Sequence, residues 1–184
     1  MFIAMTYESR RLRRAGLEHA VFDPDDPQRS ARVFDVSTRG AIDGALKHSK
    51  RFEQVLAALG RSGIRRDAPG FDILTLEDDA PDQIGRLIEL KSSGNNARIQ
   101  SMSWNEWKTA RESSLRARFY LYLAGNLRSD LQDAAPFLLA LKDPVGSLFA
   151  TDRQGQQRTR SVQLNVQEFE EAERLALTVR ALDG

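Results

Sequence analysis

The sequence predicts an α/β protein, a mixed sheet of mostly four to five strands with flanking helices. Three stretches carry that prediction. Two apolar runs, Phe71–Leu76 and Arg86–Lys91, flank an acidic loop containing Pro81 and Gly85, the pattern of neighbouring strands joined by a hairpin-like turn. Ahead of them, Phe52, Val55, Leu56 and Leu59 recur at helical spacing, and Gly60 stands where that helix would stop. Behind them, Ser103 opens a capped helix, and Phe119–Leu123 reads as a further strand.

The elements follow in order. Residues 1–20 set Arg10, Arg11, Arg13 and Arg14 among Leu12, Leu17 and Ala20, a short basic amphipathic helix whose charged side reads as solvated. Asp23–Pro27 is a loop by turn chemistry, and Val33–Val36 is a short strand. Gly40 and Gly44 weaken the case for a helix after it. Residues 1–45 are therefore set apart as an extension or the tail of a preceding region, and 46–184 as the domain proper. Ile64–Asp67 is read as the beginning of a first strand ahead of Phe71.

After Lys91, a polar loop leads into a short strand over Arg98–Met102. Ser103 and Glu106 form a capping box, with Met102 and Trp107 as its hydrophobic staple, and the helix is read to about Leu115. Capping alone accounts for Glu106. Tyr120 and Tyr122 share a face of their strand and read as core fillers ahead of base-stacking groups. Pro136–Leu141 is another buried strand, which Val145–Phe149 would continue. Val162–Leu164 is a short strand, and Asn165 with Glu168 repeats the capping-box spacing at the head of a C-terminal helix.

Composition removes several functions. Lys and Arg number 27 against 26 Asp and Glu, a net charge of +1, so any nucleic-acid contact must use a local patch. With no Cys there are no disulfides and no thiolate zinc sites, which fits a reducing compartment. Two His, His19 and His48, leave little for a histidine metal cage or a Ser-His-Asp triad. No run approaches the roughly 18 apolar residues of a membrane span. The expectation is a cytoplasmic protein that needs no membrane.

The chemistry concentrates at Asp72, Glu89 and Lys91. Alternation along a strand puts Glu89 and Lys91 on one side and Ile88 and Leu90 on the other. Charges within apolar strands are costly unless paired or bound to a cation. Two carboxylates side by side attract a hard divalent cation, and an adjacent ammonium can hold a water beside it, the groups needed to attack a phosphodiester. The bland alternative is a strand edge carrying a solvated Glu–Lys pair.

Four blocks in order, GFDI, IELKS, SWNEWKTA and RFYLYLAG, resemble the C-terminal domain named after the plant protein NO VEIN, itself similar to the PD-(D/E)XK or restriction-endonuclease-like superfamily. The resemblance covers roughly Phe52 to Pro144. Leu90 replaces the usual Val, and Phe71 stands where the superfamily name expects Pro. The resemblance implies the restriction-endonuclease-like core order αβββαβ, with Mg²⁺ or Mn²⁺ held by Asp72, Glu89, the Leu90 carbonyl and, from the preceding helix, Glu53. Lys91 would position or activate the attacking water. Arg65, Arg66, Arg98, Asn105, Lys108 and Arg111 would contact nucleic acid, DNA by analogy. Relatives of this kind sit beside ATPase, helicase or methyltransferase modules in anti-phage systems, which makes such modules the expected partners. The alternative is a catalytically inactive domain of the same fold that binds nucleic acid or a protein within a larger assembly.

Overall fold

In the computed structural model, residues 1–17, 32–77, 84–95, 99–128, 135–149, 161–165 and 173–175 are described. Helix α1 (Phe2–Arg14) is followed by strand β1 (Val33–Asp35) and helices α2 (Arg39–His48) and α3 (Lys50–Arg61). Then come β2 (Ile73–Thr75), β3 (Leu87–Ser92), β4 (Ile99–Ser103), α4 (Trp104–Ala110), β5 (Phe119–Gly125), β6 (Phe137–Lys142), α5 (Pro144–Phe149), β7 (Ser161–Asn165) and β8 (Glu173–Leu175). The protein is α/β with a mixed sheet, as the sequence predicts. Six strands lie in the order β1-β2-β3-β5-β6-β8, and β4 pairs with β7 in a separate two-stranded sheet. Only the β3–β5 pair is parallel among these; the other pairs run antiparallel.

Both faces of the large sheet are covered, so its strands read as apolar runs rather than as clean alternation. On β5, Leu121 and Leu123 face one way, into a cluster with Phe52, Val55, Leu56 and Leu59 of α3, Ile42 of α2 and Trp107 of α4. Tyr122 and Ala124 face the other way, where Ala4, Met5 and Leu12 of α1 close over Ile73, Ile88 and Leu138. Helices α2 and α3 start at side-chain caps. Thr38 accepts from Ala41 N–H at 3.2 Å, and Ser49 accepts from Phe52 N–H at 3.1 Å.

Several expectations need correction. Of the first 45 residues, the described ones (1–17 and 32–45) are not set apart from the fold: α1 covers one face, and β1 is the edge strand beside β2, with Phe34 opposite Leu74. Residues 65–67 form no strand. Arg65 pairs locally with Asp67 at 2.7 Å, and β1 takes the sheet position expected for that segment. Thr38 caps α2 strongly enough to carry Gly40 and Gly44 inside a helix. Helix α4 stops at Ala110 rather than Leu115, and Val145–Phe149 is helical because Pro144 starts a turn that cannot continue the ladder. In the expected C-terminal helix, Glu173–Leu175 instead forms β8 on β6; residues 166–172 and 176–184 lie outside the described residues. No helix among the described residues is long and apolar enough to cross a membrane.

Candidate active site

The β2–β3 register, Ile73 opposite Ile88, places Asp72 opposite Glu89 when continued by one residue. Opposite residues of an antiparallel pair share a face. Asp72 N–H donates to the Ile88 carbonyl at 2.8 Å, and its Oδ2 accepts from Leu90 N–H at 2.9 Å. A carboxylate thus takes the strand-end amide that a backbone carbonyl would otherwise take, which fixes its direction. Lys91 follows two residues after Glu89 on the same side. Its Nζ lies 2.7 Å from Glu89 Oε1 and 2.7 Å from Glu106 Oε2.

Helix α4 sets this geometry from above. Glu106 Oε2 also accepts from Ser103 N–H at 2.8 Å, completing the capping box while holding Lys91. Asn105 Nδ2 donates to the Ala68 carbonyl and Thr109 Oγ1 to the Pro69 carbonyl, each at 2.9 Å. These bonds grip the loop that feeds Asp72. Gly70 has φ +79°, and a Cβ there would lie 2.7 Å from the Asn105 carbonyl oxygen, so this close approach requires glycine.

The electrostatics follow from burial. Glu89 is 4% exposed. Removal from water, and then the facing Asp72, push its carboxyl up to about 8, against the pull of Lys91. Burial likewise raises Asp72, opposed by the Leu90 N–H bond and Lys91 and reinforced by Glu106 and Asp35. Burial acts to lower Lys91, but the Glu89 and Glu106 carboxylates outweigh it, so the ammonium is held above its ordinary value. Three carboxylates surround one ammonium, an excess of negative charge in a poorly solvated place.

Asp72, Glu89 and Lys91, named from the sequence, are brought together. Leu90 takes part through its N–H. Glu53 is exposed in the first turn of α3, and the carboxylate that joins Glu89 on Lys91 is Glu106, which the sequence reading assigned to capping. The missed signal is positional: a helix packed directly after an E-x-K strand can turn its third residue onto that strand. Among the expected nucleic-acid contacts, Asn105 has its amide committed to Ala68, a structural role. Arg65 and Arg66 are exposed beside Asp67 and Asp43, Lys108 is exposed on α4, and Arg111 is exposed at its C-cap. Arg98 lies outside the described residues.

Hard divalent cations take carboxylate, carbonyl and water oxygens. The Asp72–Glu89 pair fits one, since a positive charge there would offset the burial that raises both groups and the repulsion from neighbouring carboxylates that adds to it. Among the described residues no cluster of three or more His, Cys, Asp or Glu side chains is arranged to hold a metal ion, so the remaining ligands would be water, phosphate or backbone oxygens. Comparison of this chain with protein-family models, curated proteins and solved structures found no match.

Proposed function

We propose that this chain is a restriction-endonuclease-like domain that hydrolyses phosphodiesters, DNA before RNA, with Mg²⁺ or Mn²⁺. One observation carries the reading: buried Glu89 on β3 faces half-buried Asp72 at the head of β2, with the Lys91 ammonium 2.7 Å from Glu89. The chain order α3, β2, β3, β4, α4, β5 also follows the αβββαβ sequence of that fold, although β4 pairs outside the large sheet.

When bound, the cation would polarise a phosphoryl oxygen and lower the pKa of water. Asp72 and Glu89 would hold it. The Leu90 N–H keeps the Asp72 carboxylate aimed, and Glu106 keeps the long Lys91 side chain from swinging into solvent. From there Lys91 orients the attacking water and offsets charge that develops on the phosphate.

A second reading has its own observation. Lys91 is clamped by two carboxylates, an arrangement that also serves a catalytically inactive domain in which the charges only brace β3 against α4. A calorimetric Mn²⁺ titration separates the readings, comparing wild type with Asp72→Ala, alone and with a short duplex. Saturable binding lost in the variant, with cleavage of the duplex, supports the enzyme. No Mn²⁺ binding in either condition removes the nuclease and leaves the inactive domain.

A further inference from the structure

A second region of charge lies near the starts of β3 and β5. Here a cavity of about 260 Å³ is bordered by Glu77, Arg86, Arg118, Tyr120 and Lys142. Tyr120 and Lys142 stand opposite each other on β5 and β6, so they share a face, and Tyr120 packs with the cluster under α1. The Arg86 guanidinium lies 4.3 Å from the centre of the Tyr120 ring.

The cations here differ in what they are doing. Arg11 and Arg86 are balanced by two carboxylates: Arg11 lies 2.7 Å from Glu8 and 2.5 Å from Glu77, and Arg86 lies 3.3 Å from Glu8 and 3.9 Å from Glu77. Arg118 and Lys142 form no ion pair among the described residues, although Lys142 helps to hold the adjacent Asp143 carboxyl down, after Arg116. Both are exposed at the rim. The cavity therefore offers two positive charges outside any ion pair, one of them a planar guanidinium, above an aromatic floor stiffened by Arg86.

We propose that this cavity binds a phosphomonoester. Arg118 and Lys142 meet the phosphate oxygens, the guanidinium fork and the ammonium together matching a dianion. The volume exceeds what a phosphate alone fills, and Tyr120 provides a flat surface for an attached sugar or base. The ligand class is a nucleoside 5′-monophosphate, free or as the 5′-phosphorylated end of a nucleic-acid strand. The site is separate from the Asp72–Glu89 cluster. Arg86 precedes Glu89 by three residues, about 10 Å along a strand, and its contacts lie on the opposite face of the sheet. The proposal stands whether or not the chain cleaves phosphodiesters.

The test uses the full chain at low ionic strength, where such contacts are least screened. Adenosine 5′-monophosphate and adenosine are titrated by calorimetry into wild type and into Arg118→Gln, Lys142→Gln and the double variant. Both positions are exposed, and unchanged thermal melts confirm folding. The monophosphate should bind saturably and adenosine at least tenfold more weakly, with each single substitution weakening the monophosphate about tenfold. A 5′-phosphorylated oligonucleotide that displaces the monophosphate, where its 5′-hydroxyl twin does not, identifies strand ends as the source; displacement by neither identifies the free mononucleotide. Absence of monophosphate binding, equal binding of adenosine, or binding unchanged in the double variant overturns the proposal. Because Asp72 and Glu89 are untouched, that failure is distinct from failure of the nuclease reading.

Discussion

Glu89 gives the sharpest prediction about the fold's own energetics. In the unfolded chain its carboxyl titrates near 4.5, whereas burial and the facing Asp72 move it to about 8 in the fold. Between those values the native state holds a proton that the unfolded state has lost, so stability falls as pH rises. The penalty is absent below the unfolded value and complete above the folded one. At 1.36 kcal/mol per pKa step it amounts to at most about 5 kcal/mol. Asp72 is raised too, by burial first and then by Glu106 and Asp35, and acts in the same direction. Lys91 is raised too, but its contribution is fully present below its ordinary value of 10.5 and disappears only above it, so it leaves this window flat.

Glu89→Gln removes the titration while keeping the side chain's shape, and Lys91 retains Glu106. Urea denaturation with a chelator present should show wild-type stability dropping by several kcal/mol between pH 5 and 8.5, with the Gln variant almost level. At pH 8.5 the variant should be the more stable protein, and the two should converge towards pH 5. Mn²⁺ at one hundred times its Kd should return about 2.7 kcal/mol to wild type at pH 8.5 and little to the variant. A wild-type curve flat across the window, or a variant less stable at pH 8.5, would refute the account of a carboxylate strained by burial.

Four further substitutions probe the structure. Lys91→Ala should lower single-turnover cleavage by at least about a hundredfold while leaving gel-shift affinity for the same duplex within about threefold; equal losses in both would assign Lys91 to binding. Gly70→Ala forces a side chain into positive φ and against the Asn105 carbonyl, so it should cost about 2–4 kcal/mol, and a calorimetric melting point lowered by less than about 2 °C would contradict the grip of α4 on that loop. Tyr122→Phe removes the hydroxyl that donates to Glu8 and accepts from Arg86, and Glu8→Ala leaves Arg86 without that carboxylate; urea unfolding should show losses of about 1–3 kcal/mol for the first and about 3–5 kcal/mol for the second.

What the sequence reveals here follows the range of each signal. Periodicity and caps are local, so α3, α4, β3 and β5 are legible from Phe52, Ser49, Ser103 and the apolar runs. Partner choice is not local. Nothing in Val33–Asp35 says that it edges the sheet beside β2, because that pairing closes a loop through α2 and α3. The C-terminal capping-box spacing at Asn165 was outweighed at Glu173–Leu175 by the open edge of β6, which pairs with β8. Glu8 shows the same limit. On α1 it reads as one more surface acid, yet it is fully buried, paired with Arg11 and Arg86 and bonded to Tyr122. Only the tertiary fold brings its distant partners, Arg86 and Tyr122, to it.

Glu106 shows why a local explanation can be correct and still incomplete. The capping box is real, and it would justify a Glu at that position in an isolated helix. The same Oε2 also holds Lys91, because the helix begins one residue after β4 and its first turn is tied down onto the loop before Asp72. Helix start, loop conformation and ammonium position are therefore one mechanical unit. With Asp72, Glu89 and Glu106 ionised around Lys91, the unit carries a formal excess of two negative charges, which a single divalent cation would cancel. That balance is the physical reason to expect Glu106→Gln to act on Lys91 as well as on the helix. It should weaken the cap modestly, by about 0.5–2 kcal/mol, and leave the ammonium held by Glu89 alone. If the variant loses stability but leaves the pH dependence of wild type unchanged, Glu106 is a cap alone. If the pH profile moves with it, the cap belongs to the site.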